Sequence, residues 1–302
     1  MITSLIQLLF LSLQSQKEIT VTILKRRLIM RKEFSAAKAK KELGISYLGA
    51  TRQSAKMRYS YNANVETYCI YLAPWKMSGY QTCPNGKYCK DLCLNGSGQN
   101  KCDIIARGFE HSNINLSRIK KTKLFFENRP LFMDIMVAEI LKAKKHAEKN
   151  GLGFAVRING TSDLSPELFK LRDGRNILEA FPDIQFYDYT KVDKRLHLQK
   201  KYPNYDLTLS YNGYNWDACK SYLENGGKVA VVFENDLPQL FHGFAVHDAN
   251  GYDMRYLDEG GQIMGLHFHR VGGQYKNGVY QRPEGKFVVL EEDKNCTWAF
   301  KK

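Results

Sequence analysis

The stretch LTLSYNGYNWDACKSYLENGGKVAVVF (207–233) decides the reading of the fold. It opens on Leu207-Thr-Leu-Ser210 and closes on the apolar run Lys228 to Phe233, and both ends read as strands. Between them, 215–225 is helical in pattern and stops at Asn225-Gly-Gly. Two strands joined by a helix of this length are parallel neighbours linked by a right-handed crossover.

The same alternation continues outward. Thr67 to Leu72, Phe154 to Ile158 and Ile184 to Tyr187 read as strands before it, and Gly243 to His247 as one after it. Helices are expected over 34–43, 104–119, 131–149 and 192–201, and for about 15 residues from Ser165, with Ser165 as N-cap and Pro166 at the first helical position. In 131–149, Phe132, Ile135, Met136, Ile140 and Leu141 recur near the 3.6 period and the lysines take the other face. Six strands separated by helices predict an α/β fold: a partial (β/α) barrel of about six parallel strands, with a doubly wound open sheet as the alternative. The expected organisation is a basic N-terminal extension over 1–60 and a single barrel domain over 61–302, with a cysteine-rich loop at 75–103.

Composition supports a globular chain: of 302 residues, 43% are hydrophobic and 25% charged. The net charge of +14 is uneven, because residues 1–60 hold 12 Lys and Arg against 3 Asp and Glu. A basic arm of this kind can neutralise nucleic-acid phosphates, and it can equally be a solvated leader. Leu5 to Leu13 is apolar but far shorter than the roughly 20 residues a membrane span takes, and no Lys or Arg precedes it as in a secretory signal. Met30 begins a more ordinary sequence, so residues 1–29 read as an over-extended gene start. Five of the seven cysteines crowd into 34 residues, which argues against an extracellular disulfide framework. A cytoplasmic chain with no membrane partner is expected.

The cysteine segment carries the strongest chemical signal. Cys83, Cys89 and Cys93 follow the first core strand with spacing C-x5-C-x3-C, Cys102 comes nine residues later, and Cys69 lies on the strand itself. Thiolates this close in sequence can converge on one metal, and soft sulfur ligands select iron–sulfur clusters or zinc. The paired C-x2-C of a zinc ribbon is missing, so a [4Fe–4S] cluster on Cys83, Cys89 and Cys93 is favoured over zinc, with Cys69 or Cys102 as a fourth ligand.

In a parallel barrel the active face lies at the C-terminal strand ends. Those ends supply Asn159 and Asp163, Asp188 and Lys191, Ser210 and Asn212, and Asp248. Lys191 and Asp248 are the candidate acid–base pair, or a structural ion pair at the barrel mouth. Asn159, Asp163, Asp188, Ser210 and Asn212 are candidate substrate or cofactor contacts, joined by Asp253, Arg255 and Asp258 of HDANGYDMRYLDEGG (247–261), whose acids flank an arginine fork. His267-Phe-His269 also matches the metal-binding pair of single-strand nicking nucleases, with Tyr275 and Tyr280 near enough in sequence to supply a nucleophile.

From about Thr67 to His269 the chain resembles the phage gene product 88 family, also found on mobile elements. The resemblance rests on TCPNGKYCKDLCL (82–94), VRINGTSDL (156–164), FYDYTK (186–191), LTLSYNG (207–213), VAVVF (229–233) and AVHDANGYDMRYLDEGGQIMGL (245–266). The cysteine loop also looks like that of phage proteins related to radical S-adenosylmethionine enzymes, where a cluster-binding loop follows the first barrel strand. That second resemblance implies a radical-SAM-like barrel and possible use of S-adenosylmethionine, although the spacing here departs from the usual C-x3-C-x2-C. Together these readings predict an iron–sulfur protein acting on a small molecule or nucleic acid, or a nucleic-acid-binding protein with a structural metal site.

Overall fold

The computed structural model describes residues 34–52, 54–269, 275–276, 279–280, 282–283 and 285–298. The expectations for residues 1–29, and for Tyr275 and Tyr280 as nucleophiles, rest on residues or side chains outside those described. Two compact units divide between Gly44 and Ile45. In the first, α1 (Ala36–Glu42) is capped by Ser35, whose hydroxyl accepts from Lys38 N at 3.3 Å. Lys40 and Lys41 occupy its last turn, where the helix dipole favours cations.

In the second unit, β1 (Gly49–Ala50), α2 (Ala55–Asn62) and β2 (Val65–Ile70) lead to three single 3-10 turns between Gly86 and Gly96. Then come α3 (Gly98–Arg107), α4 (Asn113–Glu127), α5 (Arg129–Lys149) and β3 (Gly153–Arg157). They are followed by α6 (Ile177–Ala180), β4 (Gln185–Thr190), α7 (Leu198–Lys201), β5 (Tyr205–Ser210), α8 (Trp216–Glu224) and β6 (Lys228–Phe233). Apart from a 3-10 turn at Arg255–Leu257, the remaining elements are strands: β7 (Leu240–Phe241), β8 (Phe244–Asp248), β9 (Ile263–His267), β10 (Tyr275–Lys276), β11 (Val279–Tyr280), β12 (Val288–Val289) and β13 (Cys296–Thr297).

The expected partial barrel of about six parallel strands is corrected by the sheet order. One mixed sheet of eleven strands runs β1-β2-β3-β4-β5-β6-β9-β8-β7-β13, with β12 beside β6. Its centre from β2 to β8 pairs in parallel, but both borders are antiparallel: β1 against β2, and β7 against β8 and β13. The physical reason lies in the short strands. His242 and Gly243 both adopt positive φ, 50° and 83°, which makes a two-residue hairpin of the type that matches strand twist and folds β7 back on β8. The C-terminal segment then adds β12 and β13 instead of further β/α units.

Other boundaries move for local reasons. The predicted helix from Ser165 is one 3-10 turn (Pro166–Leu168), because Asp173-Gly174 reverses the chain, with Gly174 at φ 84°. A new helix, α6, then starts at Asn176 in a capping box with Glu179. The predicted 75–103 loop ends at Ser97, where α3 begins, and the predicted 104–119 helix is broken at Gly108, φ 84°, before α4.

The two sheet faces differ in chemistry. One packs Leu209, Val229, Val231 and Phe233 against Cys219 and Leu223 of α8. On the same face, Ile70 and Ile158 meet Phe125, Phe132 and Met136 of α4 and α5. The opposite face carries Thr67, Cys69, Arg157, Tyr187, Tyr189, Asp206, Thr208 and Lys228, brought side by side by the registers of β2 to β6. Residues 249–258 cover it: Asp253 pairs with Arg157, Tyr256 lies 5.4 Å from Tyr187 between ring centres, and Lys228 Nζ donates to Arg255 O at 2.6 Å. Among the described residues no helix is long and apolar enough to cross a membrane.

Candidate functional site

The cysteine loop leaves β2 and is bolted to the ends of the next two strands. Thr82 makes the first bolt: its hydroxyl lies 2.7 Å from Ala73 O and its carbonyl accepts from Asp163 N at 2.8 Å. Thr161 Oγ1 donates to Leu72 O at 2.5 Å, and Asn85 Nδ2 donates to Lys191 O at 2.8 Å. Gly160 permits this closeness. Its N–H donates to Ile70 O at 2.9 Å, and a Cβ there would stand 2.6 Å from that same oxygen. Beyond β5, Tyr214 meets Tyr88 of the loop with ring centres 4.8 Å apart. The loop therefore lies over the C-terminal ends of β2 to β5. Its far end is fixed by a buried amide cluster, in which Asn95 and Asn100 both donate to Asn115 Oδ1, at 3.0 and 2.9 Å, and Arg118 donates to Asn95 Oδ1.

Three of the five crowded thiols lie on this loop. Cys83 Sγ accepts from Trp75 N at 3.4 Å and lies 3.8 Å from Thr161 O. Cys89 Sγ lies 3.6 Å from Gly86 O, and Cys93 Sγ accepts from Asn95 N at 3.5 Å. Burial pushes the Cys93 thiol up to about 11; Cys89 and Cys83 push the same way, and Lys191 opposes them. Burial also raises the Cys83 thiol, with Cys89 and Asp163 adding to it. The three sulfurs thus lie within one another's electrostatic reach, while each makes its own local hydrogen bond. Among the described residues, no group of three or more His, Cys, Asp or Glu side chains is placed so that it could hold a metal ion.

The structure sets Cys69 and Cys102 elsewhere. Cys69 is sealed on the polar sheet face, where burial pushes its thiol up to about 12 against the pull of Arg157. Cys102 is exposed on α3.

Most of the polar residues read as substrate contacts are engaged in holding the strand ends. Asp188 accepts from Asn159 N at 2.8 Å, Asn159 Nδ2 at 3.0 Å and Tyr205 OH at 3.0 Å. Asn159 Oδ1 accepts from Ser162 Oγ and Leu164 N, both at 2.8 Å. Asp163 accepts from Thr190 Oγ1 and Lys191 N at 2.8 Å and from Arg195 Nη1 at 3.0 Å. Arg195 joins the two acids' surroundings, since it also pairs with Glu167 at 3.2 Å and donates to Tyr205 OH at 2.8 Å. Ser210, the last residue of β5, and Asn212 in the turn after it are buried; Ser210 O accepts from Asn215 Nδ2 and Asn212 Oδ1 accepts from Tyr214 N.

Asp253, Arg255 and Asp258 belong to the cover of the polar face. Asp253 also accepts from Tyr189 OH at 3.1 Å, and Arg255 pairs with Asp258 at 3.0 Å. Thr67 Oγ1, Arg157 Nε, Tyr187 OH, Asp206 Oδ1, Thr208 Oγ1 and Arg255 Nη1 are buried here without a protein hydrogen bond. Such atoms normally find a partner, so this seam is where enclosed water or a polar ligand is to be looked for.

The candidate acid–base pair is not brought together in one interaction. Lys191 Nζ sits 5.3 Å from the Phe287 ring centre, beside the cysteine loop. Asp248 is exposed, accepts from Asn250 N at 2.9 Å, and is held below the usual carboxylate range by that bond, with His267 and His247 adding to the effect. His267 and His269 are both exposed at the end of β9. Sequence reasoning passed over Thr82, Asn85, Arg118 and Arg195, which with Thr161 fix the loop and strand ends. Only TCP (82–84) and GTS (160–162), as polar residues beside a proline or glycine, hinted at them.

A family model described as Gene product 88 matches residues 30–286. The chain belongs to the gene product 88 family. It is therefore a gene product of phage type, and the match takes in the strands from β1 to β11, the cysteine loop and the polar face. No curated protein and no solved structure matches the chain.

Proposed function

We propose that this family member is a metal-binding protein that holds an iron–sulfur cluster on Cys83, Cys89 and Cys93. The observation that carries the reading is that three thiols of one loop, each on its own local hydrogen bond, lie over the ends of parallel strands, with Cys89 and Cys83 adding to the rise of the Cys93 thiol. The donor set suits a soft metal in its chemistry, because binding replaces three protons with one cation and turns mutual repulsion into shared attraction. Cys89 and Cys93 join successive single 3-10 turns and Cys83 precedes the first, so the sulfurs sit at the junctions of a segment whose two ends are fixed. Closure around an ion therefore requires side-chain and turn adjustment, not a change of fold. Cys69 does not suit the role, being fully buried beside Arg157, and Cys102 is open to solvent.

When bound, the cluster would supply electron transfer or an open iron for a ligand. The chain's own residues position the loop through Thr82, Asn85 and Thr161, and Lys191 supplies positive charge next to Cys93. With the barrel corrected, the fold no longer argues for S-adenosylmethionine chemistry, so the reading stops at metal binding. Anaerobically purified protein is expected to be brown, with visible charge-transfer absorption lost in Cys83→Ser, Cys89→Ser and Cys93→Ser and kept in Cys102→Ser. A colourless protein carrying zinc would keep the thiolate site and overturn the cluster; a metal-free protein would overturn both.

A further inference from the structure

A cleft of about 300 Å³, apart from the cysteine loop, is lined by Arg52, Arg58, Tyr59, Tyr61 and Asn62. Its floor is firm: Met57 and Ser60 bury the inner side of α2, which turns Arg58 and Tyr59 outward. Tyr59 is 55% exposed although it is a large aromatic side chain. The Arg52 guanidinium lies 4.3 Å over the Tyr61 ring centre and is tethered by Glu66 at 3.7 Å, so one arginine and one tyrosine already form a stacked wall. From Ile45 to Ser60 the chain carries three basic residues and no acid.

We propose that this cleft binds single-stranded nucleic acid. Exposed aromatic faces beside guanidinium groups are what unpaired bases and their phosphates need: a base stacks on Tyr59 or on the Arg52–Tyr61 pair, and Arg58 meets the backbone. A duplex keeps its bases stacked on each other, so it offers this cleft phosphates alone. A phosphorylated peptide would use the arginines and leave Tyr59 idle. The site is independent of the metal reading and survives its failure.

The test is fluorescence anisotropy of a labelled oligothymidylate of about 15 nucleotides with the full chain, titrated at several salt concentrations. Tyr59→Ala is expected to weaken binding about tenfold. Arg58→Ala is expected to flatten the log–log salt slope by about 0.7, the effect of one phosphate contact on a single strand. Circular dichroism melting shows whether each variant folds as the parent does. The proposal is overturned if the parent chain does not bind, or if folded variants bind like the parent, which would place binding in the basic residues before Ile45. It is also overturned if a duplex of equal length competes as well as the single strand.

Discussion

At the scale of single residues, two buried charges dominate the strand ends. Arg195 is the sole guanidinium serving Asp163, Glu167 and Tyr205 together, and its planar fork is what lets one side chain reach all three. Arg195→Met leaves two buried carboxylates facing each other's surroundings without that cation. The expected cost is about 3–5 kcal/mol, read from the midpoint of urea unfolding. Asp188 behaves differently. Burial raises its carboxyl to about 6, against the opposing pull of Asn159, Arg157, Arg195 and Tyr205. The unfolded chain releases this proton near pH 4, so between there and pH 6 the folded state alone keeps it. The residue's stability contribution is therefore complete below about pH 4 and is lost as pH rises through 6, to a total on the order of 3 kcal/mol. Asp188→Asn should remove this component of the pH dependence of unfolding; an unchanged profile would place the titration elsewhere.

At the scale of elements, the site depends on β2, β3 and the loop meeting at Gly160. Gly160→Ala puts a methyl group 2.6 Å from Ile70 O and 2.7 Å from the Tyr71 ring. Both neighbours are hemmed in, so the expected loss is about 1–3 kcal/mol, visible as a lower thermal midpoint. The core strands and α8 were legible in the sequence because β-branched runs and a 3.6-residue pattern recur between turn residues. β9 was not, because Gly265 reads as a strand breaker; the structure needs it there, since a Cβ would meet Val246 Cγ1 at 2.6 Å. The two-residue strands β7, β12 and β13 are too short to show any period, and their pairing is decided by distant segments. The barrel expectation failed on those strands. Of the site, the thiols stood out by spacing, whereas Thr82, Asn85 and Thr161 act through backbone carbonyls that no spacing rule reveals.

At the scale of the whole molecule, the fold separates two chemistries. The helix-covered face supplies the apolar core and carries Asp188 and Thr190 at the end of β4, while the face under 249–258 holds paired charges and unpartnered hydroxyls. The cysteine loop sits at the rim where strands from both regions end. A metal bound there would close the loop on itself in the arrangement that Thr82, Asn85 and Thr161 hold over the strand ends, so it would favour the folded state over the unfolded one. Anaerobic chelation should lower the thermal midpoint by at least about 4 °C, the shift expected of about 2 kcal/mol in a domain of this size. The most direct measurement is iron, acid-labile sulfide and zinc content of the anaerobically purified full chain. The account predicts iron and sulfide together in the parent and background levels once Cys83, Cys89 and Cys93 are all serine. A metal-free parent, or a triple variant that retains its iron, would contradict it.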